Sequence, residues 1–188
     1  GDTNSIDAFL ASAKPVAEGG HGGFYIGRYE QGTGNVCKAG VDAYVDVTRD
    51  EAKTKAEAMY SAKPEIKATS QLISSYAWDT ALNFICQTNT EGYELATTTD
   101  DAYGNIGTKN KTQTGGYPAD CYSNVYDLLG NCYEWTTEYS SYTFGSGSYR
   151  CVIRGGGYFF SGDYAAFRSG YTMGRSYSYF SFRLQLYV

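Results

Sequence analysis

The sequence predicts an α+β domain in which two helices pack on short, twisted antiparallel strands joined by many loops. Three observations lead there. Twenty Tyr and 23 Gly among 188 residues point to turns and half-wet surfaces rather than long helices. Two segments of the first half repeat apolar residues at helical spacing, and the closing segment alternates at strand spacing. The length suits one domain, 1–188, with enough chain to bury a continuous core.

In chain order, "GGFYIGRYE" (Gly22 to Glu30) alternates apolar and polar between glycines and reads as an early strand. "VTRDEAKTKAEAMYS" opens a helix. Thr48 and Glu51 have capping-box spacing, in which the hydroxyl and the carboxylate satisfy free amides of the first turn; Ala52, Ala56 and Met59 supply the apolar stripe. "SYAWDTALNFICQ" predicts the second helix, with Ser75 as cap and Trp78, Ala81, Leu82 and Ile85 on one face. From Thr88 to Ser123 the composition is that of a long loop, with a short strand expected near Gly92 to Ala96. Within it, "TTDDAYGN" (Thr98 to Asn105) offers oxygens for a structural calcium. It lacks the spacing and terminal Glu of an EF-hand, so a solvated turn is the simpler reading. In the final run Phe180, Phe182, Leu184, Leu186 and Val188 share one face expected to feed the core. Tyr177, Tyr179, Ser181, Arg183 and Gln185 share the other, expected to meet water or a partner.

The net charge of -5 argues against nucleic acid, which needs a basic face to neutralise phosphates. No apolar run reaches the ~20 residues that span a bilayer. The chain opens "GDTNSIDAF" without an initiator Met, which suggests that residue 1 is not the natural start and that further N-terminal parts belong to the protein. Cys37, Cys86, Cys121, Cys132 and Cys151 show no CxxC, and His21 is the one histidine, so a zinc site is not expected. The thiols read either as one or two disulfides, with Cys121 and Cys132 nearest in sequence, or as small buried hydrophobes.

"NVYDLLGNCYEWTTE" (Asn124 to Glu138), "VIRGGG" (Val152 to Gly157) and "FSFRLQL" (Phe180 to Leu186), in that order, resemble the formylglycine-generating-enzyme-like (sulfatase-modifying factor) branch of the C-type lectin fold. "GGFYIGRYE" and "YAWDTALNF" are similar to its opening strand and second helix, so the likeness spans nearly the whole chain. It departs at Tyr133, where the family usually has Trp, at Gly157 and Tyr158 in place of Ser-Trp, and at Ser181 in place of Gly. The resemblance implies a C-type-lectin-like domain.

It does not carry over the family's chemistry. The formylglycine-forming members use a cysteine pair shortly after the "RGG" turn, where thiolates bind copper; here that region, "YFFSGDYAAFRSGY", has none. The iron-dependent relatives need several histidines, and His21 stands alone in "GGHGG", a loop context that also makes it a poor catalytic base. A carboxylate pair for sugar hydrolysis is not singled out by anything in the chain. The calcium-dependent sugar lectins' loop and "WND"-type strand do not occur either. No catalytic residue and no metal ligand are therefore assigned, and binding is expected to need no cofactor.

One branch of this fold, the variable proteins of diversity-generating retroelements, fits a further pattern. There a reverse transcriptase miscopies template adenines, so AAC and AAT codons scatter into many amino acids. A codon ending in C or T never encodes Lys, Glu, Gln, Met or Trp. Between Gly157 and Ser181 only Met173 lies outside the permitted set. Tyr and Phe give wide, stiff contact area and Ser, Gly and Asp adaptable hydrogen bonds, the chemistry of antibody loops. The likeness implies a variable region over 152–188, framed by Arg154, Gly155, Gly156, Ala166, Phe167, Arg168, Phe182 and Arg183. Its ligand-binding set is drawn from Tyr158, Phe159, Phe160, Ser161, Asp163, Tyr164, Ser169, Tyr171, Thr172, Arg175, Tyr177 and Tyr179. Against this stands a loop-heavy fold that merely tolerates such residues, with Phe159 and Phe160 in the core. The expected role is receptor recognition by a hypervariable Tyr-rich surface, in phage attachment or bacterial surface recognition. The partner would be a protein or cell-surface ligand, and the location extracellular, on a phage tail or bacterial cell. The alternatives are a non-diversified adhesion or glycan-binding module of the same fold and, more remotely, an oxygenase.

Overall fold

Thr48 starts the first helix as its spacing predicts. Its amide donates to Glu51 Oε2 at 2.9 Å while the Glu51 amide donates to Thr48 Oγ1 at 3.3 Å, and these bonds hold the Glu51 carboxyl below its usual range. In this computed structural model, which describes residues 10–11, 14, 19–20, 22–61, 65, 68–144 and 147–187, that helix is α1, Arg49–Ser61. Ala52 and Ala56 are fully buried and Met59 packs beside them. After strand β2 (Thr69–Leu72) comes α2 (Ser75–Thr88). Its cap is Ser74 and not the expected Ser75: Ser74 is extended, its side chain accepts from the Ala77 amide at 3.1 Å, and its hydroxyl and amide both donate to Gln185 Oε1 at 3.0 Å. A tertiary partner thus decides between two equivalent serines. Trp78, Leu82 and Ile85 face the core as expected, joined by Ala77, while Ala81 is only half-buried.

The short strand expected at Gly92 to Ala96 is a helix, α3 (Gly92–Thr97). Gly92, Leu95 and Ala96 are its buried residues, an i, i+3, i+4 set, and a side chain at Gly92 would come within 2.4 Å of the Ile85 carbonyl oxygen. Close helix–helix approach, invisible in five residues of sequence, selects the helical period. The early strand is also shorter than Gly22 to Glu30: β1 is Tyr25–Ile26, followed by single backbone bonds from Gly27 to Leu184 and from Gln31 to Phe182.

The remaining strands are β3 (Cys121–Tyr122), β4 (Val125–Tyr126), β5 (Tyr133–Phe144), β6 (Gly147–Arg154), β7 (Arg168–Tyr171), β8 (Phe180–Phe182) and β9 (Leu184–Tyr187). They form a three-stranded sheet β1-β9-β2, the hairpin β3-β4 and a four-stranded sheet β7-β6-β5-β8. All pairings are antiparallel except β5 with β8, which is parallel. The chain therefore crosses from one sheet to the other at Arg183, between β8 and β9. Trp135 of β5 sits in one core cluster and Trp78 of α2 in the other; their indole N–H groups donate to Val47 O and Ala165 O, each at 2.9 Å.

The second face of the closing run divides: Tyr177 and Tyr179 are half-buried, while the rest is closed to water, and Val188 of the first face lies outside the described residues. Ser181, Arg183 and Gln185 are all fully buried. Arg183 Nε lies 3.1 and 3.0 Å from the two carboxylate oxygens of Glu134, and its Nη atoms donate to Gly27 O, Tyr126 O and Asp127 O at 2.8, 2.7 and 3.2 Å. One guanidinium thus ties β1, β4 and β5 to the sheet crossing, and a strict apolar/polar alternation here separates an oily buried face from a hydrogen-bonded buried face.

Around that arginine lie more buried acids than it can neutralise. Glu30 accepts from the Asn131 side chain at 2.6 Å and from the Cys132 amide at 2.8 Å, and Asp120 accepts from the Leu129 amide at 3.1 Å. Burial, reinforced by Asp127, pushes both carboxyls well above their usual range. The folded chain holds these protons more tightly than the unfolded one, so the associated stability is fully present below the ordinary carboxylate range and is lost as pH rises through the raised values. Asp120→Asn should accordingly leave the urea midpoint unchanged near about pH 4 and raise it near about pH 8 relative to the parent chain. Equal midpoints at both ends would show that Asp120 carries no such penalty.

The five cysteines are all free, so of the two readings of the thiols the disulfides, Cys121 with Cys132 included, do not form. Cys132 and Cys151 are buried, and burial pushes both thiols up, that of Cys151 to about 11. Among the described residues no helix is long and apolar enough to cross a membrane.

Candidate ligand-binding face

The segment after β6 begins at the turn Arg154-Gly155-Gly156-Gly157. Gly155 has φ +72°, and a side chain there would meet Leu128 O at 3.1 Å and the Trp78 ring at 3.4 Å. Gly157 has a different reason. A Cβ on it would lie 2.9 Å from the Tyr133 ring, so a glycine here leaves room for that ring.

From there the backbone is held by residues outside the segment. The Tyr158 amide donates to Asn131 O at 2.9 Å and its carbonyl accepts from the Lys109 amide at 2.8 Å. Further on, Ala165 O takes the Trp78 indole, the Ala166 amide donates to Ala96 O at 3.1 Å, and Ala166 O accepts from Arg154 Nη2 at 3.3 Å. Arg154 also pairs with Asp79, and Arg168 forks onto the two carboxylate oxygens of Glu138. Between β7 and β8, Tyr177 O accepts from the Asp46 and Phe180 amides at 3.1 and 3.0 Å, and Tyr179 O from the Tyr133 amide at 2.9 Å.

The side chains between these anchors turn outward. Phe159 and Phe160, the pair placed in the core by the alternative reading, are 45% and 43% exposed, and Tyr164 is 38% exposed. Gly162, at φ +97°, has nothing within 4 Å of where a side chain would start. Beside this loop lies a cleft of about 300 Å³. Six of the twelve sequence-designated residues line it: Phe160, Ser161, Asp163, Ser169, Tyr171 and Tyr179. Tyr133, Ile153, Phe167 and Phe180 complete its walls. Phe159 continues the surface, its ring 5.0 Å from Phe160 and 5.8 Å from Tyr179, and Tyr177 stacks on Tyr179 at 5.1 Å and 10°. Tyr158 meets Phe159 edge-on at 6.3 Å and Tyr164 meets Phe167 at 6.0 Å. Thr172 and the exposed Arg175 lie in the β7–β8 connection and do not line the cleft.

The chemistry inside is that of neutral phenols and one carboxyl. Tyr133 donates its hydroxyl to Asp163 Oδ2. Burial, with that hydrogen bond, raises Tyr133, and burial raises Tyr171 and Tyr179, so none is a phenolate at neutral pH. Burial also raises Asp163, opposed by the bond from Tyr133. Among the described residues no thiol and no histidine lines the cleft. Among the described residues no group of three or more His, Cys, Asp and Glu is arranged to hold a metal ion. In the 98–105 loop, Asp100 Oδ1 accepts from the Ala102 amide at 2.9 Å. His21 lies outside the described residues.

Sequence reasoning passed over Tyr133 and Lys109 as parts of this face. Tyr133 was visible only as a family departure, and it touches Phe160, Phe167, Tyr179 and Phe180 with centroid distances of 5.8–6.2 Å. Lys109 comes from the loop before β3; its ammonium sits 4.9 Å from the Phe159 centroid and donates to Phe159 O. Nothing in a lone Lys of a polar stretch signals that placement.

Residues 27–186 match the family described as sulfatase-modifying factor enzyme 1-like domains. No curated protein matches. Among solved structures, the chain is similar to CarF (TM-score 0.59, 13% identity, 88% of this chain and 86% of that chain). It is also similar to PvdO from Pseudomonas aeruginosa (0.56, 15%, 88% and 80%) and to Treponema denticola variable protein 1 (0.47, 13%, 85% and 78%). The first two of these likenesses carry the same fold as the arrangement described above, few helices set against several small, mostly antiparallel sheets.

Proposed function

This chain belongs to the family of sulfatase-modifying factor enzyme 1-like domains, and from that membership we propose that it uses the family's frame for recognition instead of catalysis. The observation that carries the reading is the division of labour after the Arg-Gly-Gly turn: buried residues from elsewhere hold the backbone, while Phe159, Phe160, Ser161 and Tyr164 project into solvent. In this reading the aromatic face is the product of retroelement diversification, in keeping with the AAC/AAT-compatible composition between Gly157 and Ser181. The partner is a protein or other cell-surface ligand, met outside the cell by a phage tail or bacterial surface, and binding takes place without a cofactor. Exposed aromatics in this number favour a binding patch over a passive surface. The absence of cysteine beyond Cys151 favours binding over formylglycine chemistry.

Two measurements test it. A reverse-transcriptase gene beside a near-copy of the coding segment, with adenines at the codons of the twelve face residues, is the expected genomic context; identical residues at those positions in related isolates, with no near-copy, would favour a fixed adhesion module. In the laboratory, a library with NNY codons at the twelve positions should return a majority of folded, protease-resistant chains. The same library at Arg154, Gly155, Gly156, Ala166, Phe167, Arg168, Phe182 and Arg183 should return few, because buried pairs and glycine turns do not tolerate exchange.

A further inference from the structure

The cleft beside the exposed loop is an aromatic box with one acid in it. Tyr133, Phe160, Phe167, Tyr171, Tyr179 and Phe180 supply six rings, and neighbouring planes meet at wide angles: Phe160 with Tyr179 at 89°, Tyr171 with Phe180 at 82°, Tyr133 with Phe180 at 76°. Rings so arranged enclose a space from several sides, as stacked rings would not. Asp163 is the sole charged residue lining the cleft among the described residues; no described Lys or Arg does. One of its oxygens takes the Tyr133 hydroxyl, which leaves the other for a ligand and places added electron density on a phenol that already borders the space. The two arginines nearest in sequence to Asp163 are spoken for, Arg154 by Asp79 and Arg168 by Glu138. The rim already seats a cation in the same fashion, Lys109 over Phe159.

We infer that this cleft takes a cationic side chain, the guanidinium of an arginine or the ammonium of a lysine, presented by the protein partner. Ring quadrupoles attract a cation over their faces, and the attraction grows when the site is partly dry, as here, while the single carboxylate oxygen supplies a charge-assisted hydrogen bond. A volume of about 300 Å³ suits one long side chain. The overall charge of -5 favours approach of a basic partner. The inference rests on the recognition reading above and adds the chemistry of the residue recognised.

The test uses the full chain and N-acetyl-arginine amide, N-acetyl-lysine amide and the neutral isostere N-acetyl-citrulline amide, titrated by ligand-observed NMR. The expected result is saturable binding of the cationic amides, at least about tenfold tighter than citrulline, and loss of that preference in Asp163→Asn. Equal binding of citrulline to the parent chain overturns the inference even if Asp163→Asn fails to fold. So does binding of tetramethylammonium with neither amino-acid amide bound, since a small quaternary headgroup would then be the occupant. Peptides selected on the parent chain from an unbiased display library separate this inference from the one beneath it. Selected peptides that carry Arg or Lys and compete with the arginine amide support both. Peptides without basic residues whose binding is abolished by Phe160→Asp sink the cation and leave the recognition face standing. Peptides indifferent to Phe160→Asp sink both.

Discussion

Arg183→Met should lower the unfolding free energy by about 3–5 kcal/mol, enough to leave a domain of ordinary stability largely unfolded in mild urea. Methionine fills much of the space, so packing is not the main loss. What is lost is the cation between Glu134, Glu30 and Asp127 and the donors to Gly27 O, Tyr126 O and Asp127 O. Burial, reinforced by the neighbouring Asp127, already raises Glu134 and Glu30 above the usual carboxylate range with Arg183 present. Removing the guanidinium leaves them to take up protons or drag water inward. Urea titrations followed by tryptophan fluorescence read the effect through Trp78 and Trp135, one in each core cluster. In Glu134→Gln combined with Arg183→Met the loss should shrink, because the stranded charge has gone. A double variant less stable than Arg183→Met alone would place the cost in the backbone acceptors and not in the ion pair.

The second large effect is expected from Gly130→Ala. Gly130 has φ +102°, outside the region a side chain tolerates, and its Cβ would sit 2.3 Å from the Asn105 carbonyl oxygen, a backbone atom that cannot swing away. Left-handed strain and overpacking together cost roughly 3 kcal/mol or more. The damage should also spread. Asn131, the next residue, donates to Glu30, accepts from the Thr112 amide at 3.0 Å and from Asn105 Nδ2 at 3.2 Å, and its carbonyl carries the Tyr158 amide. Amide hydrogen exchange should therefore speed up at Tyr158 and Lys109 as well as around Gly130 itself. Faster exchange confined to 130–131 would mean that the outward loop does not depend on this turn.

Those two residues also show what could and could not be read in advance. Glycine followed by asparagine before a strand, and arginine after a phenylalanine near the close, are visible in the letters and resemble a known frame, so the α+β class and the helix stripes at Ala52, Ala56 and Trp78 were legible. The destination of Arg183 was not. Alternation by twos says that a side chain points to the opposite face, and whether that face is water or a second buried layer depends on the β1-β9-β2 sheet and the β3-β4 hairpin closing over it. Ser74 against Ser75, and helix against strand at Gly92, turned likewise on contacts with Gln185 and Ile85, distant in sequence or hidden behind a glycine. At the face, composition pointed to the segment but left Phe159 and Phe160 open between surface and core. It could not gather six residues into one cleft, leave Thr172 and Arg175 aside, or bring Tyr133 and Lys109 to join them.

The placement of the last two strands has a consequence for folding. β8 lies beside β5 in one sheet and β9 lies between β1 and β2 in the other, so the four-stranded sheet waits for β8 and the three-stranded sheet for β9. Both sheets are thus closed by pairings that reach far back along the chain, the long-range kind that forms late. Truncation after Gly157 would remove β7, β8 and β9 together, leaving both sheets incomplete and the chain open to proteolysis.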